Sequence, residues 1–238
     1  MAENPKLITI DPNGDMLIIL KDPDTAQLKW RDESGSVDNR IAQAEAEAEA
    51  EVGAEAAKET TETEAAQDEQ EPSAIHYLVS SRQLRIVSPY FENMFKRNYD
   101  ETVPDSRDSL YHVQAQQWNP EAFTVMLNIA HLQLSAIPKR ISLKLFAGLF
   151  VVADYYRMED TLRLFTAEWL RQLKQQPEPT DYTEESMLWM FLGAKLTDVD
   201  MFGSMASIAM MQGCHPIQFL NLPFPSGVQS ERRDPPNS

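Results

Sequence analysis

VSSRQLRIVSPYFENMF, residues 79 to 95, crowds apolar side chains, two serine pairings and a proline into seventeen positions. No catalytic residue type stands there in a usable arrangement. The stretch reads as two short helices that pack Leu84, Ile86, Phe91, Met94 and Phe95 under a small sheet. Working outward, the strands of that sheet should lie just before and just after it, and a long acid-and-alanine tract comes directly before it.

With 238 residues, the chain suits one ordinary domain with extensions. A hydrophobic fraction of 42% is enough for a real core, and the formal charge is −16. That charge is concentrated: Ser36 to Ser73 holds 12 acidic residues against 2 basic ones, a net of −10, leaving −6 for the remainder. No cluster of Lys and Arg is present to release counterions from a phosphate backbone, so nucleic-acid binding is not expected. A single cysteine, Cys214, excludes an intramolecular disulfide and a multi-thiolate zinc site. The apolar run in MAENPKLITI is shorter than the roughly 7 to 15 residues of a secretory signal. LKLFAGLFVVA at 143 to 153 falls short of the ~18 residues of a membrane span. An intracellular protein, of the cytoplasm or nucleus and away from membranes, is therefore expected.

Asp15 to Leu20, DMLIIL, follows the turn signal Pro12-Asn13-Gly14 and predicts a strand buried on both faces. Ile75 to Val79 predicts a second strand, pairing with the first as a hairpin around an expanded loop, and Leu110 to Gln114 a third. The loop tract 36–73 lacks large apolar groups and sets like charges one helical turn apart, so a disordered insert is expected. An acidic docking tail for a basic partner is the competing reading.

Helical periodicity begins at Asn119-Pro120, with Phe123, Met126, Leu127 and Ala130 on one face. Ser142 opens a helix carrying Leu145, Phe146, Leu149, Phe150 and Ala153. Another starts near Glu159-Asp160, buries Leu162, Phe165 and Trp169, and closes with Arg171 and Lys174, charges that suit its dipole. After the linker 175–180, helices are expected from Thr183 to about Lys195 and from Val199 to about Gln212. The segment 214–238 reads as a mostly disordered tail in which Phe219, Leu220, Leu222 and Phe224 have the character of docking residues.

The search for chemistry yields little. Neither GxGxxG nor GxxxxGK[ST] occurs, and the four histidines show no metal-ligand spacing. His76 and His112 fall on predicted strands, where a partly exposed or hydrogen-bonded role is the plainer reading. Cys214-His215 places adjacent side chains at a helix end, a poor geometry for a thiolate–imidazole pair. Asp154 with Glu159-Asp160 could form an acid/base pair, but their simpler work is to end one helix and start the next. No catalytic residue, metal ligand or cofactor site is expected.

The combination of a strand beginning with Asp15, a second strand, the 79–95 stretch, a third strand and successive amphipathic helices resembles the BTB/POZ domain. Ser88, Pro89, Tyr90, Phe91, Met94 and Phe95 occupy the positions of the family's helix-serine-helix signature, along with Leu84. The segment LFAGLFVVADYYRMEDTLRLFTAEWL, with Ala153 and Asp154 at its centre, resembles a second family block. WNPEAFTVMLNIAH together with ADYY looks most like BTB proteins of filamentous fungi.

This resemblance implies an α+β fold, a small three-stranded sheet packed on a cluster of α-helices, with a C-terminal helical extension. The BTB domain would span 11–173, interrupted by the insert at 36–73, and the extension 174–213. By the same resemblance the chain is a non-enzymatic interaction module that forms homo- or hetero-assemblies with protein partners, a second copy among them. Substrate recruitment to a cullin scaffold of a ubiquitin ligase is the alternative. The implied interaction surface comprises Asp15, Ser81, Leu84 and Arg85, with Leu7 and Ile8 on an added edge strand. Two positions depart from the family's usual pattern: Ser80 stands where a histidine is common, and Ala130-His131-Leu132 where Tyr-Thr-Gly is common.

Overall fold

The computed structural model describes residues 6–24, 74–97, 102–212, 220 and 222–224, all within one compact unit of the chain. Strands β1 (Lys6–Thr9), β2 (Met16–Lys21), β3 (Ile75–Val79) and β4 (Tyr111–Gln116) form a sheet of order β1-β3-β2-β4. The pairing β3–β2 is antiparallel, as a lengthened hairpin requires, while β1–β3 and β2–β4 are parallel. The sheet thus has four strands among the described residues, not three, and it starts before residue 11. Lys6 to Thr9 escapes a periodicity reading because it is a short edge strand with three exposed residues, held by pairing with a strand distant in sequence.

Strand β2 is not sealed on both faces. Met16, Ile18 and Leu20 are fully buried, but Leu17 and Ile19 remain half-exposed, the alternation of a strand covered on one side. Between β1 and β2 the chain crosses the end of β3, with the amides of Ile10 and Asp11 both donating to the Leu78 carbonyl. That crossing brings Gly14 onto the peptide of Val79, where a Cβ would lie 2.6 Å from the Val79 carbonyl oxygen. Gly14→Ala is therefore expected to destabilise the fold by roughly 2 kcal/mol, read as a lower midpoint in chemical denaturation.

Seven helices follow or interleave: α1 (Ser81–Val87), α2 (Pro89–Lys96), α3 (Pro120–Ala130), α4 (Leu143–Tyr156), α5 (Glu159–Leu173), α6 (Glu184–Leu196) and α7 (Val199–Gln212). Local capping chemistry sets their starts. Asn119 Oδ1 accepts from the Glu121 and Ala122 amides, Ser142 Oγ from Leu145, and Thr183 forms a reciprocal capping box with Ser186. Helix α3 buries eight of its eleven residues and α4 ten of fourteen, because both lie inside the unit and not on its surface. Phe165 is only half-buried on α5, though it stacks on the buried Trp169 at 5.3 Å.

Helix α6 ends at Thr197, a β-branched residue in the left-handed region (φ 57°), where glycine is the usual occupant. Thr197→Gly should raise stability by about 1 kcal/mol, measurable as a higher melting temperature. Beyond α7, Leu220, Leu222 and Phe224 are buried, with Phe224 edge-on to Phe191 at 5.4 Å. Part of the expected disordered tail is therefore core. Segment 36–73, Cys214, His215 and Phe219 lie outside the described residues.

Candidate interaction surface

Ser88 explains why the opening stretch must be written as it is. Fully buried, it ends α1 and caps α2, its Oγ accepting from the Phe91 amide at 3.2 Å and donating to the Tyr156 carbonyl at 2.6 Å. Pro89 at the first helical position loses no needed donor. Phe91 then stacks on Tyr156 with centroids 5.3 Å apart, Met94 is buried, and Phe95 meets Tyr111 edge-on at 5.0 Å. Tyr90 packs against Tyr156 at 5.2 Å and Tyr155 at 5.5 Å. Burial raises the Tyr156 phenol above its usual value while its oxygen accepts from Trp118 Nε1.

Asp15 and Ser81 form one unit. The Asp15 carboxylate accepts from the Ser81 amide at 2.7 Å and from the Ser81 hydroxyl at 2.6 Å, tying the start of β2 to the first turn of α1. That tie turns Ser81 inward, and Leu84, one turn on, follows it into the core at 0% exposure. Leu84 is thus a packing residue and not part of an exposed surface. Ile86 is the converse: expected in the core, it is 74% exposed. In a helix of seven residues the apolar positions define two possible stripes, and the Asp15–Ser81 bonds select between them.

Arg85 does reach the surface. Its Nε donates to Glu92 Oε2 at 2.9 Å and its guanidinium lies 5.0 Å from the Phe95 ring centre, bridging α1 and α2. Glu92 also pairs with Lys96, and these hydrogen bonds hold its carboxyl below the usual range. On β1, Leu7 is 59% exposed and Ile8 half-buried. Exposed apolar side chains therefore stand on both α1 and the edge strand.

The two departures at positions 80 and 131 meet each other. The Ser80 amide donates to His131 Nε2 at 2.9 Å, so the ring proton sits on Nδ1 and donates to the Leu127 carbonyl, also at 2.9 Å. Ser80 Oγ caps α1 through the Gln83 amide. Sequence reasoning missed this link because the partners are 51 positions apart. Burial lowers the His131 pKa from 6.5, and protonation of Nε2 would oppose the Ser80 amide. The unfolded chain then takes up the proton first, so stability is full above pH 6.5 and is lost as pH falls toward the folded value. His131→Gln should flatten the dependence of unfolding free energy on pH between 7 and 5. His76, lowered by burial and by His112, supplies a slope that persists.

Two ion pairs fasten the C-terminal extension to the preceding helices, Lys195–Asp154 and Lys144–Glu184 at 2.8 Å, and Lys174–Asp198 at 3.0 Å closes within the extension. Lys195 is the most enclosed of these cations. Asp154 therefore works as an anchor for α6, beside the fully buried Ala153. His112, on β4, is held by Asp108 at 2.8 Å. Among the described residues no three potential ligands gather to hold a metal ion, and no helix is long and apolar enough to cross a membrane.

Compared with protein-family models and with curated proteins, the chain matches none. The established description is thus a mixed fold of four strands and seven helices among the described residues.

Proposed function

We propose that the chain is a BTB/POZ-type interaction module, non-enzymatic, that self-associates or binds a protein partner through β1 and α1. The exposure of Ile86, at 74%, carries this reading. It stands on the first helix of the helix-serine-helix unit, the element that the resemblance assigns to the dimer surface, with Leu7 exposed on the edge strand. Arg85 and Glu92 supply a polar border, and among the described residues β1 is an edge of the sheet, where a further strand could add. Co-expression of two differently tagged copies tests it. The copies should co-purify, and Ile86→Glu should abolish co-purification while leaving the circular dichroism unchanged; retention at the wild-type level would refute the surface.

A second reading, recruitment of a substrate to a cullin scaffold, draws on Leu132 and Leu134. They are 71% and 63% exposed at the exit of α3, close to where the resemblance places cullin docking. Capture by an immobilised cullin N-terminal domain, lost in Leu132→Asp, is the result expected under that reading.

A further inference from the structure

Lys139-Arg140-Ile141-Ser142-Leu143 lies on the connection from α3 into α4, and it places two cations, a spacer, a hydroxyl and an apolar side chain in that order. No other Ser or Thr in the sequence has Lys or Arg both three and two positions before it. Protein kinases with acidic substrate clefts read this order. Carboxylates of the cleft pair with the two cations and so set the hydroxyl at the γ-phosphate of the bound nucleotide.

The fold presents the run and does not bury it. Before it, Ile137 is buried and the Pro138 carbonyl accepts from Trp169 Nε1 at 3.0 Å. At its end, Ser142 Oγ accepts from the Leu145 amide at 3.1 Å. Between these two ties Lys139, Arg140 and Ser142 are all exposed, and the Ser142 backbone is extended, with φ −77° and ψ 157°. Kinases bind their substrates as extended chain. Two other described hydroxyls have an arginine three positions before them, and neither is presented in this way: Ser88 is fully buried, and Thr166 sits inside α5, half-buried, donating to the Leu162 carbonyl at 2.9 Å.

We propose that Ser142 is a phosphorylation site for a basophilic protein kinase. Ser142 Oγ attacks the γ-phosphorus of MgATP and the bond from that phosphorus to the β–γ bridging oxygen breaks. ADP leaves, and the hydroxyl proton passes to the carboxylate base of the kinase. The phosphoserine then stands at the N-cap of α4, a helix of 14 residues, where first-turn amides and the helix dipole favour a dianion. Ser142 belongs to neither β1 nor α1, so the site is independent of self-association.

Incubation of the full chain with MgATP and the catalytic subunit of cAMP-dependent protein kinase, read by intact mass and peptide sequencing, tests this. A phosphoryl group should be incorporated at Ser142, and the modified chain should melt roughly 2–4 °C higher than the unmodified one. Lys139→Ala/Arg140→Ala keeps the hydroxyl and its cap and should lower kcat/KM for incorporation about tenfold. Ser142→Ala should abolish it. Absence of incorporation into the wild-type chain, or a wild-type rate in either variant, overturns the proposal, as does a lower melting temperature of the modified chain.

Discussion

Ser88→Ala should lower the stability of the fold by about 3 kcal/mol, the sum of a lost helix cap and a buried carbonyl left without its donor. For a chain of this size that corresponds to a fall of roughly 6–12 °C in melting temperature. The bond to the Tyr156 carbonyl is short, at 2.6 Å, and the site is fully buried, so water cannot replace either bond. Ser80→Ala is the matched control. Its hydroxyl caps α1 over a longer 3.4 Å contact in a half-exposed setting, while the amide that bonds His131 is retained. A loss of under about 1 kcal/mol is expected there. Equal losses in the two variants would mean that the Ser88–Tyr156 bond contributes nothing beyond capping.

Gly193→Ala should cost roughly 2–3 kcal/mol. A Cβ at Gly193 would stand 2.8 Å from the Phe202 amide nitrogen and 3.0 Å from its Cα, backbone atoms that cannot swing aside. The crossing of α6 and α7 depends on that approach, so the damage should concentrate in the extension, with faster hydrogen exchange along α7. Gly203 makes the opposite case on the same helix pair. Nothing lies within 4 Å of its added Cβ, and Gly203→Ala should stabilise α7 by up to about 1 kcal/mol through helix propensity alone. Opposite signs at two glycines separate close packing from propensity, and a loss at both would contradict this account of the crossing.

What could be read from the residues alone follows the range of the interactions concerned. Asn119-Pro120, Ser142 and Thr183 announce helix starts because a cap bonds amides two or three residues away. The β2–β3 hairpin was also legible, each strand being a strongly apolar run. Strand β1 was expected only as an optional edge, since its placement depends on parallel pairing with β3 across a long stretch of chain. Leu84 packs in the core as expected, but it leaves the interaction surface, and Ile86, expected beside it, is exposed, because a tertiary bond from Asp15, not periodicity, orients α1. The Ser80–His131 link and the Lys195–Asp154 anchor join residues 51 and 41 positions apart and leave no local trace. Leu220, Leu222 and Phe224 show the same limit: three apolar residues in a proline-rich segment are buried only through tertiary packing, Phe224 against Phe191.

Sedimentation equilibrium of the full chain at high micromolar concentration tests the central claim most directly. A self-associating module gives a mass of twice 27.1 kDa, and Ile86→Glu returns it to the single-chain value. A wild-type mass of 27.1 kDa that does not change with concentration would contradict self-association through β1 and α1.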